Sequence, residues 1–197
     1  MQLRATEANA TARRSRRTLW LIFALCAAPI IGSYAVYHFW RPTAQVNYGE
    51  LLEPRPLPDA ELVSLDGKPF RLAQLKGAWI LLTSGPPACD DACRDRLVYT
   101  RQVRLAQGRQ SERVERVWLL TDAGAPDAAL LAEHPGLRVV RDREGGVVNG
   151  LPAPGTPSEH IYVIDPLGNL MMRFPANPDP RRILKDLSRL LRHSKWK

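Results

Sequence analysis

Two cysteines, Cys89 and Cys93, stand four positions apart in a run that opens at Gly85 and continues Pro-Pro-Ala-Cys-Asp-Asp-Ala-Cys-Arg-Asp. Four residues make about one helical turn, so on a helix the two sulfurs face the same way and can bond to each other or share one soft ion. The run follows an apolar, strand-like stretch, Trp79 to Thr83. A pair of thiols where a buried strand gives way to a helix suits redox or soft-metal chemistry. Thiols at a helix N-terminus feel its partial positive charge, which favours the attacking and metal-binding thiolate. Asp90 and Asp91 oppose that effect, yet both suit the first turn of a helix. Cys93, one turn deeper, is expected to be the better shielded. The plainer alternative is a disulfide that only staples loop to helix. Closing so short a loop restricts the unfolded chain little.

Few other residues carry chemistry. His134, in Glu-His-Pro-Gly, reads as a helix-end residue. His160 begins a strand and reads first as a satisfied polar residue, with a ligand role as the alternative. Met171 and Met172 are adjacent in a strand, so at most one faces the core. Asp122 is expected to cap or turn the chain towards a helix beginning at Pro126. No Gly-rich phosphate loop, paired-carboxylate hydrolase site or Ser/His/Asp arrangement stands out.

The elements that would position the thiols follow from pattern. Glu61 to Leu72 reads as two short strands around an Asp-Gly turn. Ala78 to Thr83 is an apolar run of strand length, as in a sheet covered on both faces. Asp90 to Gln107 is helical, with an apolar stripe at Leu97, Val98, Arg101, Arg104 and Leu105. Val114 to Thr121 is a second buried strand, Pro126 to Glu133 a short helix and Leu137 to Val140 a short strand. Gly145 to Gly155 is loop. Ile161 to Asp165 and Leu170 to Phe174 are strands about an Asp-Pro-Leu-Gly turn. Pro180 to Arg192 closes the chain as a helix with Ile183, Leu184, Leu187, Leu190 and Leu191 on its buried face. The expected class is α/β, a central mixed sheet flanked by helices. The order β-α-β-α-β-β-α after an N-terminal hairpin matches the thioredoxin fold. That arrangement starts the first helix beside the thiols and places a turn containing Pro157 ahead of the penultimate strand.

The ends give a location. Thr18 to Trp40 contains no Asp, Glu, Lys or Arg, and about 20 such residues can span a bilayer. Trp20 marks one end and Tyr37, Phe39 and Trp40 the other, where interfacial aromatics belong. Arg13, Arg14, Arg16 and Arg17 precede the span and put the N-terminus in the cytoplasm. A cleaved signal peptide has a shorter apolar core and a small-x-small site, whereas this stretch runs into Tyr-His-Phe-Trp-Arg-Pro. Leu25 argues against lipid modification at Cys26. The expected layout is residues 1–17 cytoplasmic, 18–40 transmembrane, 41–58 a Pro-rich tether and 59–197 an exported domain in an oxidising compartment. Of the formal charge of +8, the anchor region 1–40 supplies five Arg against one Glu. From Arg173 onward eight Lys or Arg face Asp179 and Asp186, which reads as a solvated helix face with a basic tail. The topology argues against a nucleic-acid partner; anionic lipid headgroups or an acidic membrane partner fit the charge.

Gly67 to Thr83, then Cys-x-x-x-Cys, then a strand ending Leu-Leu-Thr-Asp, resembles the Sco/SenC family over about residues 58–192. Members are membrane-anchored thioredoxin-like proteins that help assemble the copper site of cytochrome c oxidase subunit II. The resemblance implies a bacterial inner-membrane protein with a periplasmic domain. It implies copper as cargo, and that subunit or another copper-assembly protein as partner. It makes Cys89 and Cys93 copper ligands, redox thiols, or both in turn, and two thiolates suit Cu(I). The family usually has Pro after each cysteine, where this chain has Asp90 and Arg94. Its third ligand is a His about eight residues before the Asp closing the next strand. Counting back from Asp165 reaches Pro157, with His160 three residues later. Gly155 to Pro157 instead resembles the cis-Pro turn facing the dithiol in thioredoxins, so the Thr156–Pro157 bond is expected to be cis. The function expected is thiol–disulfide exchange in oxidase assembly through Cys89, Cys93 and Pro157. The alternatives are a copper carrier using both thiols with His160 or an external ligand, and a non-catalytic docking factor.

Overall fold

The computed structural model describes the backbone of residues 3–39 and 47–194, and the side chains of residues 20–38 and 47–194. The chain divides into two units at residue 46. The first contains one helix, α1 (Leu3–Phe39), in which Trp20–His38 is long and apolar enough to cross a membrane. Pro29 lies inside it. The four arginines ahead of the span have side chains outside the described residues, as do Phe39, Trp40, positions 41–46 of the expected tether, and the tail at 195–197.

The second unit is built on an eight-stranded sheet in the order β1-β8-β7-β4-β5-β6-β2-β3. The strands are β1 (Glu50–Pro56), β2 (Leu62–Ser64), β3 (Pro69–Phe70), β4 (Trp79–Gly85), β5 (Val114–Leu120), β6 (Leu137–Arg141), β7 (Ile161–Ile164) and β8 (Asn169–Arg173). The pairs β4–β5 and β5–β6 are parallel and the others antiparallel. Every residue of β4 is buried, as a central strand with both faces covered requires. The helices are α2 (Asp91–Leu105), α3 (Ala128–Glu133) and α4 (Pro180–His193). The α/β thioredoxin-like class expected from the pattern is the observed one.

Strand alternation sorts the core. Trp79, Leu81, Val114, Trp118, Leu120, Ile161 and Val163 pack beneath the helices, against Leu97 and Val103 of α2, Leu130 of α3 and Ile183, Leu187 and Leu191 of α4. Ile80, Leu82, Val117, Leu119, Tyr162 and Ile164 face the other way, under Leu62, Phe70, Leu75, Val147 and Leu151. Met172 is buried while its neighbour Met171 is only partly so. At the Asp66-Gly67 turn between β2 and β3, Gly67 has φ of +80°, a conformation that disfavours a β-carbon.

Three expectations change. Residues 50–56, assigned to the tether, form β1 on the sheet edge beside β8; Pro54 and Pro56 are tolerated because an edge strand has one unpaired side. Asp186 of α4, 2 % exposed, accepts the Tyr48 and Gly49 N–H groups at 2.7 and 2.8 Å and holds the start of that strand. Leu105 is 62 % exposed, and the inner face of α2 is instead Cys93, Arg96, Leu97, Thr100 and Val103. Asp127, not Asp122, caps α3, accepting the Ala129 N–H at 2.9 Å.

Candidate functional site

Strand β4 delivers the chain to the site. It ends at Gly85, and Pro86 to Asp90 lead into α2. Asp90 is the N-cap: its backbone is extended and its Oδ1 accepts the Cys93 N–H at 2.8 Å, satisfying a donor that the helix leaves open. Asp91 follows in the first turn, where a carboxylate favours the helix dipole. The sequence thus starts α2 between the two cysteines.

Cys89 and Cys93 form a disulfide with Cα atoms 5.3 Å apart, within the usual bridging range. The two sulfurs differ in access. Cys93 is 6 % exposed and packs with Leu97, Trp118, Leu120 and Leu130. Cys89 is half-buried and opens on a groove of about 540 Å³ bounded by Pro87, Asp90, Arg94, Gly124, Asp127 and Leu130. The pair can accept two electrons and two protons, and Cys89 is the sulfur that a partner can reach.

The expected cis bond is not found: the Thr156–Pro157 bond is trans. Thr156 is extended (φ −94°, ψ 139°), as a residue before proline prefers. Pro157 then opens a 3₁₀ turn, Pro157–Glu159, closed by the Glu159 N–H on the Thr156 carbonyl at 3.1 Å and the His160 N–H on the Pro157 carbonyl at 3.2 Å. Proline at a first helical position has its φ already set and lacks an N–H that would need a partner. The turn packs against β4 and α2, so the Pro157 segment does lie at the thiol end of the sheet.

His160 is buried, with Nδ1 2.8 Å from the Phe174 carbonyl and its ring edge-on to Tyr162. Its Nε2 has no hydrogen-bond partner. Among the described residues no group of three His, Cys, Asp or Glu side chains could hold a metal ion, so His160 is not assembled with Cys89 and Cys93. The donor set fits a soft ion on two thiolates once the disulfide is reduced, and offers no third protein ligand beside them. Tyr162 is buried, its hydroxyl donating to the Pro152 carbonyl at 3.0 Å, and burial pushes its pKa up to about 12.

Arg96 is the site residue that pattern reading missed. It lies on the inner face of α2 three residues after Cys93 and is 8 % exposed. Burial lowers its pKa, while Asp90, Glu159 and Asp95 oppose the shift. A charged residue near the first turn usually signals a solvated face, so only the fold shows that this one points inward.

Comparison with known proteins agrees with this geometry. The solution structure of apo Sco1 from Thermus thermophilus superposes with a TM-score of 0.59 at 22 % identity, covering 75 % of this chain and 99 % of that one. Copper-bound yeast Sco1 gives 0.57 at 17 % identity, covering 71 % and 91 %. The thioredoxin domain of a thiol-disulfide oxidoreductase from Bacteroides vulgatus gives 0.57 at 18 %, covering 72 % and 99 %. These likenesses establish the thioredoxin-like fold. No curated protein matches the sequence. Residues 79–194, from β4 through α4, match the family described as transmembrane-like, thioredoxin-like, C-terminal domain, and this chain belongs to that family.

Proposed function

We propose that the protein is a single-pass membrane-anchored thiol–disulfide exchange protein, its domain periplasmic and its work the assembly of respiratory cytochrome c oxidase. One observation carries the exchange chemistry: the bridged pair has one accessible sulfur, Cys89, and one shielded sulfur, Cys93. In the reduced protein the Cys89 thiolate attacks one sulfur of a partner disulfide, forming a mixed disulfide and releasing a partner thiolate. Cys93, having lost its proton, then attacks the Cys89 sulfur and releases the second partner thiolate. The partner gains two electrons and two protons, the Cys89–Cys93 bridge is restored, and a separate reduced dithiol protein must reopen it. A cysteine pair of oxidase subunit II is the proposed substrate, supported by the resemblance to Sco proteins.

The test is a trapping experiment on the full chain in detergent. Cys93→Ser should accumulate a mixed disulfide with an oxidised dithiol peptide, whereas Cys89→Ser should not. Trapping by both variants alike, or by neither, would remove the assignment.

The trans Pro157 favours a second reading, a Sco-type carrier of Cu(I) on Cys89 and Cys93 with an external third ligand. On that reading the reduced protein takes up Cu(I) stoichiometrically, the uptake is lost in the Cys89→Ser/Cys93→Ser double variant, and His160→Ala leaves it in place. If exchange is the function, His160→Ala leaves exchange rates unchanged.

A further inference from the structure

At the other end of α2 lies a concentration of positive charge for which exchange chemistry has no use. Arg116 of β5 is 1 % exposed, beneath the C-terminal half of α2. Its Nη2 donates to the Pro135 carbonyl at 2.6 Å, while Nε and Nη1 have no partner. Arg104 of α2 reaches the Val114 carbonyl with Nε at 2.6 Å. Arg101, one turn earlier, donates from Nη1 to the Glu133 carbonyl, and its buried Nε has no partner. His134, which ends α3, is 2 % exposed and neither ring nitrogen has a partner.

Arg101 and Arg116 thus meet at the α3–β6 connection, Arg104 lies beside Arg116 with its bond on the first carbonyl of β5, and each of the three uses one bond on a neutral carbonyl. Among the described residues no carboxylate bonds to any of them. The adjacent Glu115 points to the opposite face of β5, where Arg138 takes it at 3.1 Å. Glu133 contributes its carbonyl to Arg101 while its side chain is exposed. The cost is visible in the groups themselves. Burial, then Arg104 and Arg101, hold Arg116 down to about 10, and burial, then Arg101 and Arg116, lower His134. Buried charge without a counter-charge is unfavourable, and a cluster of buried, unused N–H groups is complementary to an anion.

We propose that Arg101, Arg104, Arg116 and His134 form a binding site for a tetrahedral oxyanion of the phosphate type. The planar fork of each arginine can present two donors to one oxyanion, so three from two elements can surround a tetrahedral group as they could not a single chloride. Arg101 is only half-buried and is the wall that can swing outward to admit the ligand. On the other side, an open cavity of about 440 Å³ reaches His134 and Pro135. Occupation would tie α2, β5 and the α3–β6 connection together at the end of α2 opposite the thiols.

The experiment uses the full chain in non-ionic detergent at pH 7, with inorganic phosphate exchanged for chloride at constant ionic strength. Thermal unfolding should show a saturable rise of about 3 °C or more as phosphate passes well above its Kd. Arg101→Gln and Arg104→Gln, both at partly exposed positions, should weaken the apparent affinity at least tenfold, and Arg109→Gln, outside the cluster, should not. Arg116→Met tests the centre; if it fails to fold, the two glutamine variants still decide. Short-chain phosphatidylglycerol replaces phosphate in a second arm. Tighter binding of that lipid, again lost in Arg101→Gln, makes the ligand a headgroup; tighter binding of phosphate makes it a free ion. A shift no larger than chloride produces, or one that survives in both glutamine variants, overturns the proposal.

Discussion

Asp90 does two things at once, and two substitutions separate them. Its Oδ1 accepts the Cys93 N–H at 2.8 Å and caps α2, and its carboxylate places negative charge one residue from Cys89. Asp90→Asn keeps an acceptor of equal capping quality and removes the charge; Asp90→Ala removes both. Losing such a cap costs about 1 kcal/mol, within a span of roughly 0.5–2. In a domain of about 150 residues that is a fall in Tm of about 2–4 °C. The asparagine variant forfeits only the charge–dipole part, which at this exposed position is about 0.3–1 kcal/mol. Both variants should raise the thiolate fraction of reduced Cys89, because an adjacent negative charge disfavours thiolate. Alkylation by iodoacetamide at pH 7 should then be about two- to tenfold faster in both, as measured on the reduced Cys93→Ser background. The reasoning fails if asparagine destabilises as much as alanine, or if alkylation slows in either variant.

Three further outcomes are expected. Burial, Arg101 and Arg116 hold His134 below the ordinary histidine value of 6.5, with Glu133 opposing. Its stability contribution is therefore present above that value and lost as pH falls through it towards the depressed folded value. The urea midpoint of the parent should drop more steeply from pH 7 to 5.5 than that of His134→Asn, and equal slopes would contradict this. Asp186→Ala leaves the Tyr48 and Gly49 N–H groups without their acceptor, so urea unfolding should show a loss of roughly 2–4 kcal/mol. Val103→Ala, at a 2 % exposed position, should cost roughly 1–3 kcal/mol, whereas Leu105→Ser, at a 62 % exposed one, should stay within about 0.5; chemical denaturation of both checks which face of α2 is inside.

Much of the sheet was legible because its signals are local. The apolar run at β4, the Asp66-Gly67 turn and the acidic start of α2 each depend on neighbouring residues alone. The i, i+4 spacing was enough to bring Cys89 and Cys93 within bridging distance. Strand β1 was hidden by Pro54 and Pro56, which read as a tether until β8 supplies a partner for one edge. The inner face of α2 was misread near its end because Leu105 is apolar yet lies where no element covers it. Arg96, Arg116 and Asp186 look like surface charges in sequence; only the packing of α2 on the sheet buries Arg96 and Arg116, and Asp186 is held by the Tyr48 and Gly49 N–H groups far back in the chain. Pro157 was placed at the correct end of the sheet but in the wrong isomer. The 3₁₀ turn that follows it suits a trans proline, and nothing in Gly-Thr-Pro announces that turn.

The central claim is that Cys89–Cys93 is a working redox pair, and its reduction potential tests it most directly. The bridge spans four positions, so chain entropy contributes only about 2 kcal/mol to holding it closed, equivalent to about 45 mV for a two-electron couple. Equilibration of the full chain with glutathione buffers, followed by thiol alkylation and mass analysis, should give a midpoint between about −270 and −120 mV, the span of known exchange proteins. A midpoint below about −300 mV, where structural disulfides lie, would make the bridge a staple and contradict the account.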